Sequence, residues 1–205
     1  MTGLEIKTFA EGILDDNVSW SDEHFYVLLN IVKTKLEESR LWQFLKKSTT
    51  LSSSALPDDF AEDYKVLVGQ DREFFPVSFE EQYAFRNTSG RYYIDWANLT
   101  INFLGTVPSG TKYLFYKRFT DEITESTSPV FPSRFHPLLA YYVASIHQGG
   151  TDSDDIFARM SPVNKQAAME LERAMKMWDT NIALRAQNNQ VGVANSVNDI
   201  AVGDM

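Results

Sequence analysis

The chain has no cysteine. That excludes disulfides, thiolate nucleophiles and cysteine-ligated zinc or iron–sulfur sites, and it is compatible with a reducing compartment. Histidine is scarce: His24, His136 and His147 are the whole set. Each falls on an expected helix among aromatic or apolar neighbours, no HExxH pair is present, and His136 and His147 lie too many turns apart to share a metal on one helix. Packing or capping is the better reading of all three, so neither metal nor cofactor is expected. The GxSxG, P-loop and Rossmann glycine patterns are also missing.

No run approaches the ~18 consecutive apolar residues of a membrane span. The opening MTGLEIKTFAEGI carries charges where a secretory signal would place its apolar stretch, so the expectation is a protein that neither spans nor crosses a membrane by itself. A basic surplus is lacking too. The formal net charge is −9, which argues against the broad basic face that nonspecific nucleic-acid binding needs.

Acidic pairs are present but make poor catalytic sites. Asp152, Asp154 and Asp155 resemble the start of a calcium loop, yet the sixth and twelfth positions are Phe157 and Val163 rather than Gly and Glu. Asp58 with Asp59, and Glu80 with Glu81, are adjacent, and neighbours along a strand point to opposite faces. Turns, caps and solvated edges explain them, and the chain is not expected to be an enzyme.

With 205 residues, 43% hydrophobic and 13% aromatic, there is enough apolar surface for one good core, or a core with an attached module. Two hydrophobic periods divide the chain. From Ser21 to Lys47, Phe25, Leu28, Leu29, Val32, Leu36, Phe44 and Leu45 recur mostly at steps of three and four, which predicts a long amphipathic helix preceded by a weaker one over Leu4–Leu14. After Ser48 the sequence breaks into TTLSSSALPDD and then into aromatic and β-branched runs. Strands are expected at Tyr64–Val68, Phe74–Phe79, Gln82–Arg86, Tyr92–Trp96, Leu99–Phe103 and Tyr113–Phe119, joined as an antiparallel meander.

Helical spacing returns after Pro132. Ser133–His147 is apolar on most sides and ends at Gly149-Gly150, and Ser161-Pro162 caps a last helix to Gln187 with a stripe of Ala168, Leu171, Met175, Trp178 and Ile182. The expected class is α+β: a bundle of about four helices with an inserted small antiparallel β-module and an extended C-terminal tail. The expected segments are 1–50 and 126–188 for the two bundle halves, 51–125 for the module and 189–205 for the arm.

The tail, QVGVANSVNDIAVGDM, has no aromatic residue and no Lys or Arg. Such a segment cannot offset its own ordering entropy, roughly 1–2 kcal/mol per residue. It is therefore expected to order only against another molecule, through Val191, Val193, Val197, Ile200 and Val202.

The order of motifs resembles the head-to-tail connector, or adaptor, proteins of tailed bacteriophages. The likeness is carried by Trp42-Gln43-Phe44-Leu45 closing a long helix, Leu56-Pro57-Asp58-Asp59-Phe60 entering the β-module, the strands Tyr92-Tyr93-Ile94-Asp95 and Tyr113-Leu114-Phe115-Tyr116, and Phe131-Pro132-Ser133-Arg134-Phe135-His136 opening a buried helix. It covers about residues 20–185. The resemblance implies a virion-neck protein assembled in the host cytoplasm, in a ring of about twelve copies. The portal protein would lie above it, clasped by the C-terminal arm, and a tail or stopper protein below. DNA would pass through the channel without specific binding. Trp96, Tyr92 and Tyr93 are the candidate contacts of the β-module. The competing expectation is a virion accessory whose aromatic β-module binds a ligand or carbohydrate.

Overall fold

The computed structural model describes residues 1–14, 20–69, 72–107, 109–148 and 162–200; for 148 and 188–200 it describes the backbone. The expected turn at 15–17, the helix stop at 149–150, the acidic turn at 151–155 and the N-cap at 161 lie outside the described residues.

The chain divides into two units, Met1–Phe44 with Asp121–Met205, and Leu45–Thr120. In the first, α1 (Gly3–Ile13) opens with a full capping box between Thr2 and Glu5 and buries Ile6 and Ala10. Helix α2 (Asp22–Glu38) starts at Ser21, whose hydroxyl accepts the His24 N–H, and its buried stripe is Phe25, Leu28, Leu29, Val32 and Leu36. Helix α4 (Pro137–Gln148) follows a short 3₁₀ turn at Ser133–Phe135, and α5 spans Pro162–Ile200. Leu138, Leu139, Ala140, Val143 and Ala144 of α4 are all fully buried, with α1, α2 and α5 packed around them. Full burial of each aliphatic side chain contributes about 1.5–3 kcal/mol.

The second unit contains β1 (Lys46–Leu51), β2 (Phe60–Val68), β3 (Arg72–Pro76), the short helix α3 (Gln82–Phe85), β4 (Arg91–Asp95), β5 (Thr100–Leu104) and β6 (Lys112–Arg118). They form one six-stranded sheet in the order β1-β6-β2-β3-β4-β5. Every pair is antiparallel except β3 with β4. Ala55 bridges to Thr100 on the outer edge of β5, so the segment leaving β1 reaches the far edge and the sheet curls into a half-barrel. Val66, Val68, Phe74, Tyr92, Ile101 and Leu114 fill its concave side.

These findings correct the expected fold. The chain is not a helical bundle carrying a small antiparallel module. It has five α-helices among the described residues, and its six-stranded mixed sheet is a substantial unit with its own core. The meander is overturned because β6 inserts between β1 and β2.

Three local corrections have visible causes. The long helix ends at Glu38 because Ser39 Oγ and Trp42 Nε1 both donate to the Leu36 carbonyl at 2.7 Å, which satisfies that helix-end acceptor and turns the chain toward β1. The expected strand at Gln82–Arg86 is helix α3. The segment 189–200, expected to be extended, continues α5 as helix to Ile200.

Candidate partner-binding surfaces

The turn after β4 places the most exposed of the three aromatic residues singled out in the β-module. Asp95 Oδ1 accepts the N–H groups of Ala97 at 3.0 Å and Asn98 at 3.2 Å, and Oδ2 accepts the Asn98 amide at 2.8 Å. The Asn98 side chain, followed by the Ala97 and Asn98 N–H groups, holds the Asp95 carboxyl below the usual carboxylate range. This turn sets Trp96 at 58% exposure, with its ring 5.7 Å from Phe60.

Tyr92 and Tyr93 point to opposite faces, as strand geometry requires. Tyr92 is 1% exposed, and its hydroxyl donates to Asp63 from inside the core. Burial, and then that bond to Asp63, pushes the Tyr92 hydroxyl far above the ordinary tyrosine value. Tyr93 lies on the convex side, edge-on to Phe79 at 5.8 Å. The structure therefore does not bring Tyr92, Tyr93 and Trp96 onto one surface.

A different aromatic surface surrounds Tyr93. Phe75 of β3, Phe79 of the connecting turn and Tyr83 of α3 are 52%, 50% and 76% exposed. The Arg91 guanidinium lies 5.5 Å from the Phe75 ring and 5.6 Å from that of Phe85. The residues converge because β3 and β4 run parallel, with Phe75 opposite Arg91, so the crossover between them carries Phe79 and α3 over the sheet. Sequence reading missed Phe75, Phe79, Tyr83 and Arg91 as a site. The available signal was Ser78-Phe79-Glu80-Glu81, a capping-box pattern that forms: Ser78 N–H donates to Glu81 Oε2 at 3.2 Å, and Glu81 N–H to Ser78 Oγ at 3.3 Å.

Among the described residues of the helical unit, grooves lie along α1 and α5. One, of about 720 Å³, runs along α1 beside Leu4, Thr8, Phe9, Gly12 and Ile13 and ends at Tyr141. The other, of about 630 Å³, lies along α5 beside Lys165, Met169, Arg173 and Lys176. Further along α5, Val191, Val193, Val197 and Ile200 lie on its helical backbone. Val202 lies outside the described residues. At 39 residues, α5 is roughly 60 Å long.

The histidines have structural surroundings. His136 Nε2 donates to the Phe131 carbonyl at 2.8 Å, and burial holds its pKa below the ordinary histidine value. His147 Nδ1 accepts the Trp20 indole N–H at 3.0 Å. Among the described residues no group of three His, Cys, Asp or Glu side chains is placed to hold a metal ion, and no helix is long and apolar enough to cross a membrane.

Charge is unevenly divided. Leu45–Thr120 contains nine Lys and Arg against nine Asp and Glu, which leaves ten against nineteen in the other unit. The whole net charge of −9 thus belongs to the helical unit.

Residues 1–194 match the family described as SU10 adaptor protein. No curated protein matches the chain.

Proposed function

This chain belongs to the SU10 adaptor protein family, a phage head–tail adaptor family, and from that membership we propose that it is a structural protein of the virion neck that joins the capsid portal to the tail. It acts as a ring of identical subunits, each presenting the same two patches to its neighbours. The portal protein binds above the ring, a tail or stopper protein below, and the genome passes through the central channel on ejection. Assembly takes place in the host cytoplasm.

The observation that carries this reading is the family match over residues 1–194. The helix α5 supports it, because the polar, valine-bearing end of the chain continues a helix whose last buried side chains, among those described, are Met175 and Asp179. A helix gains stability by docking its apolar residues in a partner's groove. Val191, Val193, Val197, Ile200 and Val202 are the proposed portal contacts, and Trp96 and Tyr93 the proposed contacts of the sheet unit, with Tyr92 supporting them from the core. The −9 charge would let DNA slide past without adhering, since carboxylates repel phosphate.

The test is co-sedimentation with the purified portal of the same virus, using the full chain and a chain ending at Gln187. Binding by the full chain alone supports an adaptor clasped through its C-terminal helix. Binding by neither rejects the portal contact and favours a second reading, in which the exposed set Phe75, Phe79 and Tyr83 serves a virion accessory as a ligand- or carbohydrate-stacking surface.

A further inference from the structure

The convex face of β1, β6 and β2 carries charge that its own unit leaves unbalanced. Lys46 and Lys117 are register partners, so both side chains stand on the same face, a like-charge pairing that costs stability unless something anionic lies against it. The neighbour of Lys117 on the other side is Glu62. Among the described residues none of Lys46, Lys65, Lys117 and Glu62 takes part in an ion pair. On the concave side, by contrast, Lys47 is neutralised by Asp59 at 2.7 Å.

The floor beneath Lys46 is aromatic. Lys46 Nζ lies 5.5 Å from the Tyr64 ring, which packs on Phe115 at 6.3 Å. Rigid rings of this kind hold lysine stems in place at low entropic cost. The result is a half-exposed patch with three positive charges against one negative, in which Lys46 is held over a ring.

The helical unit carries a matching acidic loop. Glu122 and Glu125 are exposed on either side of the buried Ile123. That segment is rigidly held: Asn30 Oδ1 accepts the Ile123 N–H at 2.8 Å, the Asn30 amide donates to the Ile123 carbonyl at 3.0 Å, and Leu4 N–H donates to the Glu125 carbonyl at 3.1 Å. Neither carboxylate has an ion-pair partner among the described residues.

We propose that the convex face around Lys46 and Lys117 receives the Glu122–Glu125 loop of a neighbouring copy of this chain. The proposal rests on the ring reading and names its contact. Two different patches on one subunit make a heterologous contact, the kind that closes into a ring. Charge complementarity selects a second copy over nucleic acid, because the surplus of −9 resides in the unit that bears the loop, whereas the sheet unit has nine Lys and Arg against nine Asp and Glu and so lacks the net positive charge that duplex binding needs. Complementary charge also fixes register and speeds encounter.

The test is a charge swap read by sedimentation velocity over a range of salt, with and without the purified portal. Variants K46E/K117E and E122K/E125K should each weaken self-association about tenfold or more, and salt should weaken the parent chain. An equimolar mixture of the two variants should recover assembly, because each altered patch then meets its opposite; recovery also establishes that both variants fold. A parent chain that assembles while both variants assemble equally well overturns the contact but leaves the ring. A parent chain that never assembles, even on the portal, overturns both. Retention of a short duplex DNA that K46E/K117E loses, with assembly unchanged, overturns the contact in favour of nucleic acid.

Discussion

Asp179 Oδ1 accepts the backbone N–H of Gln43 at 2.6 Å, which ties α5 to the segment that leaves α2. Asp179 is fully buried, and its second oxygen faces Arg40 Nη2 at 3.2 Å, placed as an ion pair rather than a hydrogen bond. Removing one partner of such a pair strands the other, at a cost of about 2–4 kcal/mol. Asp179→Ala should lower the urea midpoint by a corresponding amount, and Asp179→Asn, which keeps an acceptor for Gln43, by less. Equal loss in both variants would mean that the charge on Asp179, rather than its hydrogen bond, holds the contact.

Two glycines of α1 should respond to alanine with opposite signs. A Cβ on Gly3 would lie 2.1 Å from the Thr124 carbonyl oxygen, a backbone atom that cannot swing aside. Gly3→Ala is expected to cost about 1–3 kcal/mol through overpacking. A Cβ on Gly12 meets nothing within 4 Å, so Gly12→Ala should gain up to about 1 kcal/mol of helix propensity. Thermal melts of the two variants, one falling and one rising, would check both.

Elements whose local pattern agrees with their packing were legible in the sequence. The stripe Phe25, Leu28, Leu29, Val32 and Leu36 reads as one helical face and is buried as one. The Tyr92 and Ile94 alternation likewise reads as a strand with a buried face. What failed was decided at a distance. Lys46–Leu51 has little apolar content and becomes a strand through its pairing with β6. The parallel β3–β4 pair needs a crossover that no two-residue periodicity announces. Gln82–Phe85 could have been read as helix from the Ser78 and Glu81 capping pattern, but its aromatic content imitates a strand. The aromatic surface was missed with it, since Tyr83 reaches that surface only on a helix.

Stability of the sheet unit should fall at both ends of the pH scale through Asp59 and Tyr116. Burial alone would raise the Asp59 pKa, but its bonds to Lys47 at 2.7 Å and to the Tyr116 hydroxyl at 2.8 Å hold it below 3.8. A carboxyl depressed in the folded state stabilises above its unfolded pKa, and that contribution disappears as pH falls below 3.8. Burial, and then the bond to Asp59, pushes Tyr116 up to about 12 from 10.0. An acid raised in the folded state stabilises below its unfolded pKa, so this second contribution is lost as pH rises from 10 toward 12. Urea midpoints across pH should show both declines. Tyr116→Phe should flatten the alkaline one by its share, and Lys47→Met, which removes a partner that lowers Asp59, should flatten the acid one.

The aromatic surface around α3 should separate binding from folding. Tyr83 is 76% exposed, so Tyr83→Ser removes little packing and should change stability by no more than about 0.5 kcal/mol. Phe79→Ser loses the ring contact with Tyr93 at 5.8 Å and should cost about 1 kcal/mol. Exposed aromatic residues flanking an arginine are the residue types in which interface energy concentrates. The double variant is therefore expected to weaken binding to the tail-side component about tenfold or more, with portal co-sedimentation unchanged. Calorimetric titration with the purified tail component, beside a urea melt of the same protein, measures the two effects separately. Weakened binding with an intact melt assigns this face to the tail-side contact. Unchanged binding assigns these rings to covering β3 and β4 and leaves Trp96, on the turn after β4, as the remaining aromatic candidate.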